Sequence, residues 1–235
     1  MRIAFENVNF ASSSGPNSFA FQLGTELQKN GIEVCSSQDE NYDACLVFIE
    51  QVNPIRDVPL IQRLDGIYFS NEEEFVSKNK LIKETYNKAN AIVFQSEFDK
   101  TMIEKHFGKR DVHNSIIRNG TYVQRINNEQ FKKIEWLYNI RNDFYKVFTM
   151  SSQWKGRPNK RYDENIRFIK EYTEYSGDRV CLISMGEHDT ITANTEIEHT
   201  KKFTQVHLGN VIPSQAWIPV CASDWFIHLE YLGHC

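Results

Sequence analysis

Short continuous apolar runs alternate along this chain with longer stretches of helical spacing. Residues 2–5 form an apolar strand that enters a Ser-, Gly- and Asn-rich loop. Phe19, Leu23 and Leu27 then recur on one helical face, with Ser18 as the expected N-cap and Gly31 as the stop, and residues 32–35 form a second strand. Strand, glycine-containing loop, helix, strand is the building unit of a parallel doubly wound sheet. Apolar runs at 44–49 and 59–64 suit strands covered on both faces. A charged stretch from 71 to 89 places Phe75, Leu81, Ile82 and Tyr86 on one helical stripe, and the acidic run 72–74 caps its start.

Residues 91–108 read as strand and helix, with Ser96 as N-cap and Gly108 as stop. Residues 114–120 are a strand closing in an Asn-Gly turn. Residues 127–143 carry Phe131, Ile134, Leu137 and Tyr138 on a helical stripe. The alternation then restarts. Val147, Phe148 and Met150 mark a buried strand, followed by a polar turn with Lys155, Arg157, Lys160 and Arg161, and then a helix with Ile166, Phe168 and Ile169. Strands ending in glycine follow at 179–186 and 204–211, then a short helix at 212–223 and a last strand from 224. The pattern predicts an α/β protein of two Rossmann-like, doubly wound parallel-sheet domains, 1–140 and 141–235, with the boundary near 139–145.

Composition narrows the function classes. At 235 residues and 40% hydrophobic the chain can bury a sizeable core. A net charge of −4 argues against a nucleic-acid binder, which needs a basic face. No apolar run reaches the roughly 18 residues of a membrane span, and the charged N-terminus resembles no signal peptide, so a cytoplasmic location is expected. Cys35, Cys45, Cys181, Cys221 and Cys235 stand singly with no CxxC pair, as expected of buried, reduced thiols. Asn119 in Asn-Gly-Thr is formally a glycosylation acceptor and reads as a turn. Lys78, Lys80 and Lys83 beside Phe75 and Leu81 are either a solvated helix face, the favoured reading, or a peripheral membrane contact.

Candidate chemistry lies in the loops. A strand that ends in a cationic turn and feeds a helix suits phosphate, because backbone N–H groups and the helix dipole point at the anion while Arg and Lys neutralise it; the alternative is a solvated basic turn. The first loop has one glycine, Gly15, where the dinucleotide fingerprint needs three, and Pro16 removes a donor, which argues against an NAD site. Arg63 and Asp65 fall at the carboxyl end of a parallel strand, where open α/β sheets bind ligands; a plain Asp-Gly turn is the alternative. His188 with Asp189, and His228 with His234 and Cys235, lack zinc-ligand spacing, so no metal site is expected. The chain contains no Asp-x-Asp to hold a divalent cation on a phosphate.

The order and spacing of SGPNSFAFQLGTELQKNGIEV, NAIVFQSEFDKTMIEKHFG, IIRNGTYV, SSQWKGRPNKR and QVHLGNVIPSQAWIPVCASDWFIHLEYLGHC resemble the group 1 (family 4) glycosyltransferases, over nearly the whole chain. The resemblance implies two Rossmann-like domains facing across a cleft, the GT-B arrangement. It implies metal-independent transfer of a sugar, with retention, from a nucleotide-sugar to a hydroxyl of a glycan, lipid-linked or protein acceptor, with no cofactor. By that resemblance Arg157 and Lys160 bind the donor diphosphate, with Lys155 as the alternative if the loop is aligned differently. Gly15, Asn17 and Ser18 match the loop that reaches donor phosphates or acceptor, with Pro16 where a second glycine usually stands. Gly186 ends the second strand of the second domain, and residues 209–212, with Val211 and Ile212, match a turn that contacts the nucleobase. Asp65, with Arg63, is the acceptor-side candidate for catalysis. The family continues past such a last strand into a helix with a ribose-holding glutamate, so the resemblance implies an incomplete second domain. A nucleotide-sugar epimerase and a non-catalytic nucleotide or glycan binding module are the competing readings.

Overall fold

The computed structural model describes residues 1–12, 14–69, 74–120, 139, 143–144, 146–211 and 213–229. They fall into two compact units, one within Met1–Thr121 and one within Tyr122–Tyr231. The expected boundary at 139–145 and the helix expected at 127–143 lie mostly outside the described residues.

The first unit is a six-stranded sheet of β1 (Arg2–Glu6), β2 (Glu33–Ser36), β3 (Ala44–Phe48), β4 (Leu60–Leu64), β5 (Ala91–Phe94) and β6 (His113–Ile116). The order is β2-β1-β3-β4-β5-β6 and every pairing is parallel. Helices α1 (Gly15–Lys29), α2 (Phe75–Lys78), α3 (Lys80–Lys88) and α4 (Glu97–Phe107) connect the strands. Ala4, Cys45, Val47, Leu64, Ile92 and Phe94 are buried in its core, as runs covered on both faces require.

Three local expectations are corrected. Helix α1 starts at Gly15, and Ser14, in extended conformation, is its N-cap instead of Ser18. Pro16 lies in the first turn, where its missing N–H costs nothing and its fixed φ favours the helix. The charged stretch splits into α2 and α3 at Asn79, which is buried; its Oδ1 accepts from Tyr68 N at 3.0 Å and its amide donates to Tyr68 O. Ile82 and Tyr86 face the core, but Leu81 is exposed. Residues 72 and 73 of the acidic run lie outside the described residues, and Glu74 makes no side-chain cap. Ser96, by contrast, caps α4 as expected, its Oγ accepting from Asp99 N at 3.0 Å.

The second unit is a sheet ordered β11-β7-β8-β10-β9, built from β7 (Lys146–Ser151), β8 (Val180–Met185), β9 (Thr195–His199), β10 (Phe203–Gly209) and β11 (Trp225–Phe226), with α5 (Tyr162–Ser176) and α6 (Pro213–Ala222). It is mixed, because β9 runs antiparallel to β10. The all-parallel expectation fails there: TEIEH is polar, as a half-exposed edge strand can be, and carries no apolar run. Ile169 is buried and Ile166 half-buried on the inner face of α5 as expected, but Phe168 is exposed, and Tyr162, Asn165 and Thr173 are buried there as well. The last strand pairs over only two residues, and Trp225 and Phe226 are exposed while Ile227 is buried. Cys35, Cys45 and Cys181 are buried, and burial pushes the Cys45 and Cys181 thiols up to about 12. Cys221 is exposed, against expectation, because α6 turns it outward; Cys235 lies outside the described residues.

Candidate functional site

In the second unit the basic turn is fastened to the end of β8. Trp154 N and Lys155 N donate to Glu187 O at 3.1 and 2.9 Å, and Gly156 N donates to Asp189 Oδ2 at 3.1 Å. The buried Trp154 ring donates Nε1–H to Met185 O at 2.7 Å and packs edge-on against Tyr162, centroids 5.1 Å apart. An amphipathic aromatic ring thus anchors a loop whose other side chains are charged. Lys155 Nζ lies 2.6 Å from Glu187 Oε1 on the surface. Each holds the other ionised: the pair moves the lysine up and the glutamate down from their usual ranges.

Arg157 is exposed and precedes a 3-10 turn, Pro158–Lys160. Arg161, in the left-handed region at φ 55°, then starts α5 without a side-chain cap. The first N–H groups of a helix have no partner within it, which makes this end electropositive, and Asp163 and Glu164 in its first turn offset part of that charge. Asn165 fixes the join: its Nδ2 donates to Arg161 O at 2.7 Å and Leu229 O at 3.1 Å, and its Oδ1 accepts from Leu229 N at 2.8 Å.

Gly186 sits where β7, β8 and β10 end. Its φ is +112°, its N–H donates to Gly209 O at 2.7 Å, and a Cβ there would lie 1.7 Å from Ser152 O. Gly209, at φ +71°, leaves no room for a Cβ beside Ala193. Both glycines are required by close backbone approach. Val211 is half-buried and Ile212 lies outside the described residues.

Beneath the turn runs a buried polar chain absent from the sequence reading. Gln205 Nε2 donates to Tyr162 OH at 3.1 Å, Tyr162 OH is 3.3 Å from Ser184 Oγ, and Ser184 Oγ is 2.9 Å from His207 Nδ1. His188 packs on Tyr162 with centroids 4.5 Å apart. Burial lowers His207, with His188 adding to the effect, so it is held neutral. Three polar residues, Thr204, Gln205 and His207, inside the strand at 203–209 were the available signal.

In the first unit Arg63 is buried at the end of β4 and ion-paired with Asp65. Its second nitrogen donates to Asn119 Oδ1 at 2.6 Å, and its guanidinium lies 3.8 Å from the Phe19 ring centroid. Burial lowers Arg63 and raises Asp65, each opposed by the other's charge. Asp99, also buried, accepts from Gln95 N at 3.0 Å on Oδ2, while its Oδ1 has no partner among the described residues. Burial chiefly pushes Asp99 up to about 6, with Asp65 adding. The Asp-Gly pair is therefore no plain turn, since its carboxylate is tied to a buried arginine. Asn119, expected to be structural only, belongs to this cluster.

The first loop is self-bonded: Asn17 Oδ1 accepts from Asn9 N and its Nδ2 donates to Ser14 Oγ, both at 2.8 Å. Ser18 lies inside α1, its N–H bonded to Ser14 O. At Gly15 a Cβ would meet nothing within 4 Å, so packing alone does not require that glycine.

No protein-family profile and no curated protein matches the chain. Among solved structures, it is similar to Anabaena HepE in complex with UDP-glucose, at TM-score 0.67 and 15% identity over 98% of this chain and 74% of that one. It is similar to sucrose-phosphate synthase from Thermosynechococcus elongatus, at TM-score 0.65 and 10% identity over 100% and 77%. It is also similar to WaaG, a glycosyltransferase involved in lipopolysaccharide biosynthesis, at 0.63 and 8% over 98% and 75%. At these identities the likeness establishes the fold, and the fold is GT-B.

Proposed function

We propose that this chain transfers a glycosyl group from a nucleoside-diphosphate sugar to an acceptor hydroxyl. The observation that carries the reading is the cationic turn of the second unit, at the carboxyl end of a parallel strand and ahead of a helix without a side-chain cap, in a GT-B fold. HepE, a neighbour in fold, was solved with UDP-glucose, which makes UDP-sugars the first donors to test.

In the step, the bond from the anomeric carbon to the diphosphate oxygen breaks and one to the acceptor oxygen forms. The acceptor proton leaves with the diphosphate. Negative charge grows on that leaving group, so a fixed cation stabilises the transition state more than the ground state. We assign this task to Arg157 and Lys160, without a metal. Lys155, the alternative if the loop is aligned differently, pairs with Glu187 at the surface. Retention at the anomeric carbon follows the motif resemblance. Asp65, oriented by Arg63, is the acceptor-side carboxylate.

Release of labelled sugar from a panel of nucleotide-sugars tests this. The intact chain should turn over at least one donor, and Arg157→Ala with Lys160→Ala should lower the rate by roughly 10² or more. Equal rates for the two proteins, or no turnover of any donor, would overturn it. Among the described residues no helix is long and apolar enough to cross a membrane. Lys78 and Lys83 lie 5.0 and 5.9 Å from the Tyr68 and Phe107 ring centroids, which favours the solvated-face reading of that surface over a lipid contact.

A further inference from the structure

A cavity of about 270 Å³ opens in the first unit over the carboxyl ends of β1 and β2, reaching the residues that follow β3. In the sheet order β2-β1-β3 the strand order reverses between β1 and β3, the place where open α/β sheets take ligands, and Val52 and Asn53 bring the cavity to that side of β1. The volume is just below the roughly 300 Å³ at which drug-sized pockets begin, which suits one small ring.

Its floor is buried and rigid. Glu6 is 1% exposed and accepts from Val52 N at 3.0 Å, Asn53 N at 2.6 Å, Asn53 Nδ2 at 3.2 Å and Ser37 Oγ. With those donors in place Glu6 is a brace that ties β1 to the turn after β3. Asn7 then turns the chain through the left-handed region, at φ 61°, and its Nδ2 donates to Phe48 O at 2.9 Å.

The rim is made of amides. Asn7, Gln38 and Asn53 each spend an amide N–H on a protein oxygen, and no protein donor among the described residues reaches their side-chain oxygens. Those three oxygens can accept from a ligand, each amide keeps a second N–H to donate, and Phe5 and Val8 add apolar surface to the lining. None of the described residues lining the cavity is Lys, Arg or His. A phosphate or carboxylate, which only accepts, could take the amide N–H groups but would leave the amide oxygens unmatched and bring its charge beside the Glu6 carboxylate with no cation to offset it. A hydroxyl donates.

We propose that this cavity is a subsite for an uncharged, polyhydroxylated ring, the neutral sugar end of an acceptor, and that it rejects phosphorylated or otherwise anionic ends. Its identification as an acceptor subsite rests on the transferase reading; the binding does not.

The test is calorimetric titration of the full chain with neutral monosaccharides (glucose, galactose, mannose, N-acetylglucosamine), with the corresponding sugar monophosphates, and separately with UDP. At least one neutral sugar should bind, with its monophosphate weaker by about tenfold or more, the equivalent of one favourable contact. Gln38→Trp, at an exposed rim position, should abolish sugar binding and leave UDP binding unchanged. Gln38→Lys should bring the monophosphate within reach, raising its affinity by about tenfold. Binding of no neutral sugar, tighter binding of monophosphates, or indifference to both variants would overturn the proposal, whatever UDP does. Sugar binding without UDP binding would uphold the subsite and count against the transferase reading.

Discussion

At the scale of single residues, buried polar groups set the pH response and glycines set the loops. Asp99 titrates near 6 in the fold, against about 4 for an ordinary aspartate. The folded chain therefore binds more protons than the unfolded one between those values. Stability from this group is greatest below pH 4 and falls as pH rises to 6. Asp99→Asn keeps an acceptor for Gln95 N and removes the buried charge. It should raise stability at pH 7 by about 2–3 kcal/mol and leave it unchanged at pH 4, as read from denaturant midpoints at the two values. Gly186→Ala should cost about 3 kcal/mol or more, because φ +112° and the Ser152 carbonyl both oppose a Cβ, and its thermal midpoint would show this. These residues were poorly legible in the sequence. Glu6 ends an apolar strand, Asp99 stands among the charged residues of α4, and His207 shares β10 with Thr204 and Gln205, so none differs by type from a solvated neighbour. Ser14 and Ser18 are equally good caps by type; the choice was made by Pro16.

At the scale of elements, β1, β3 and β5 were readable as short apolar runs, and β4 despite Gln62 and Arg63, whereas β9 was not because an edge strand need not be apolar. Helix α5 shows the same limit. Its inner face carries Asn165 and Thr173 where the pattern offered Phe168, because Asn165 is needed to bind the backbone at Arg161 and Leu229. The basic turn gains its position from Trp154. Trp154→Phe keeps an aromatic ring and deletes the Nε1–H donated to Met185 O, leaving that carbonyl only the longer bond from Ser152 N at 3.3 Å. The variant should lose about 1–3 kcal/mol of stability and bind UDP more weakly, measured by thermal shift with and without the nucleotide. Ser96→Ala, which removes the cap of α4, should cost about 1 kcal/mol and leave UDP binding alone.

At the scale of the whole molecule, the restart of the strand-helix alternation after residue 145 was enough to read two α/β units, while the GT-B class came from the order and spacing of the motifs that resemble group 1 glycosyltransferases. The motif resemblance singled out Arg157 and Lys160 with Lys155 as the alternative, and the Glu187 partner of Lys155 is what the sequence did not offer. The central claim is that Arg157 and Lys160 hold the donor diphosphate while Lys155 is occupied by Glu187. Calorimetric titration of UDP into the wild-type chain and the three single alanine variants tests it most directly. Arg157→Ala and Lys160→Ala should each weaken UDP by about 10- to 100-fold, the worth of a charge-assisted hydrogen bond, and Lys155→Ala should change it less than about twofold. No UDP binding by the wild-type chain, or a loss confined to Lys155→Ala, would contradict the account.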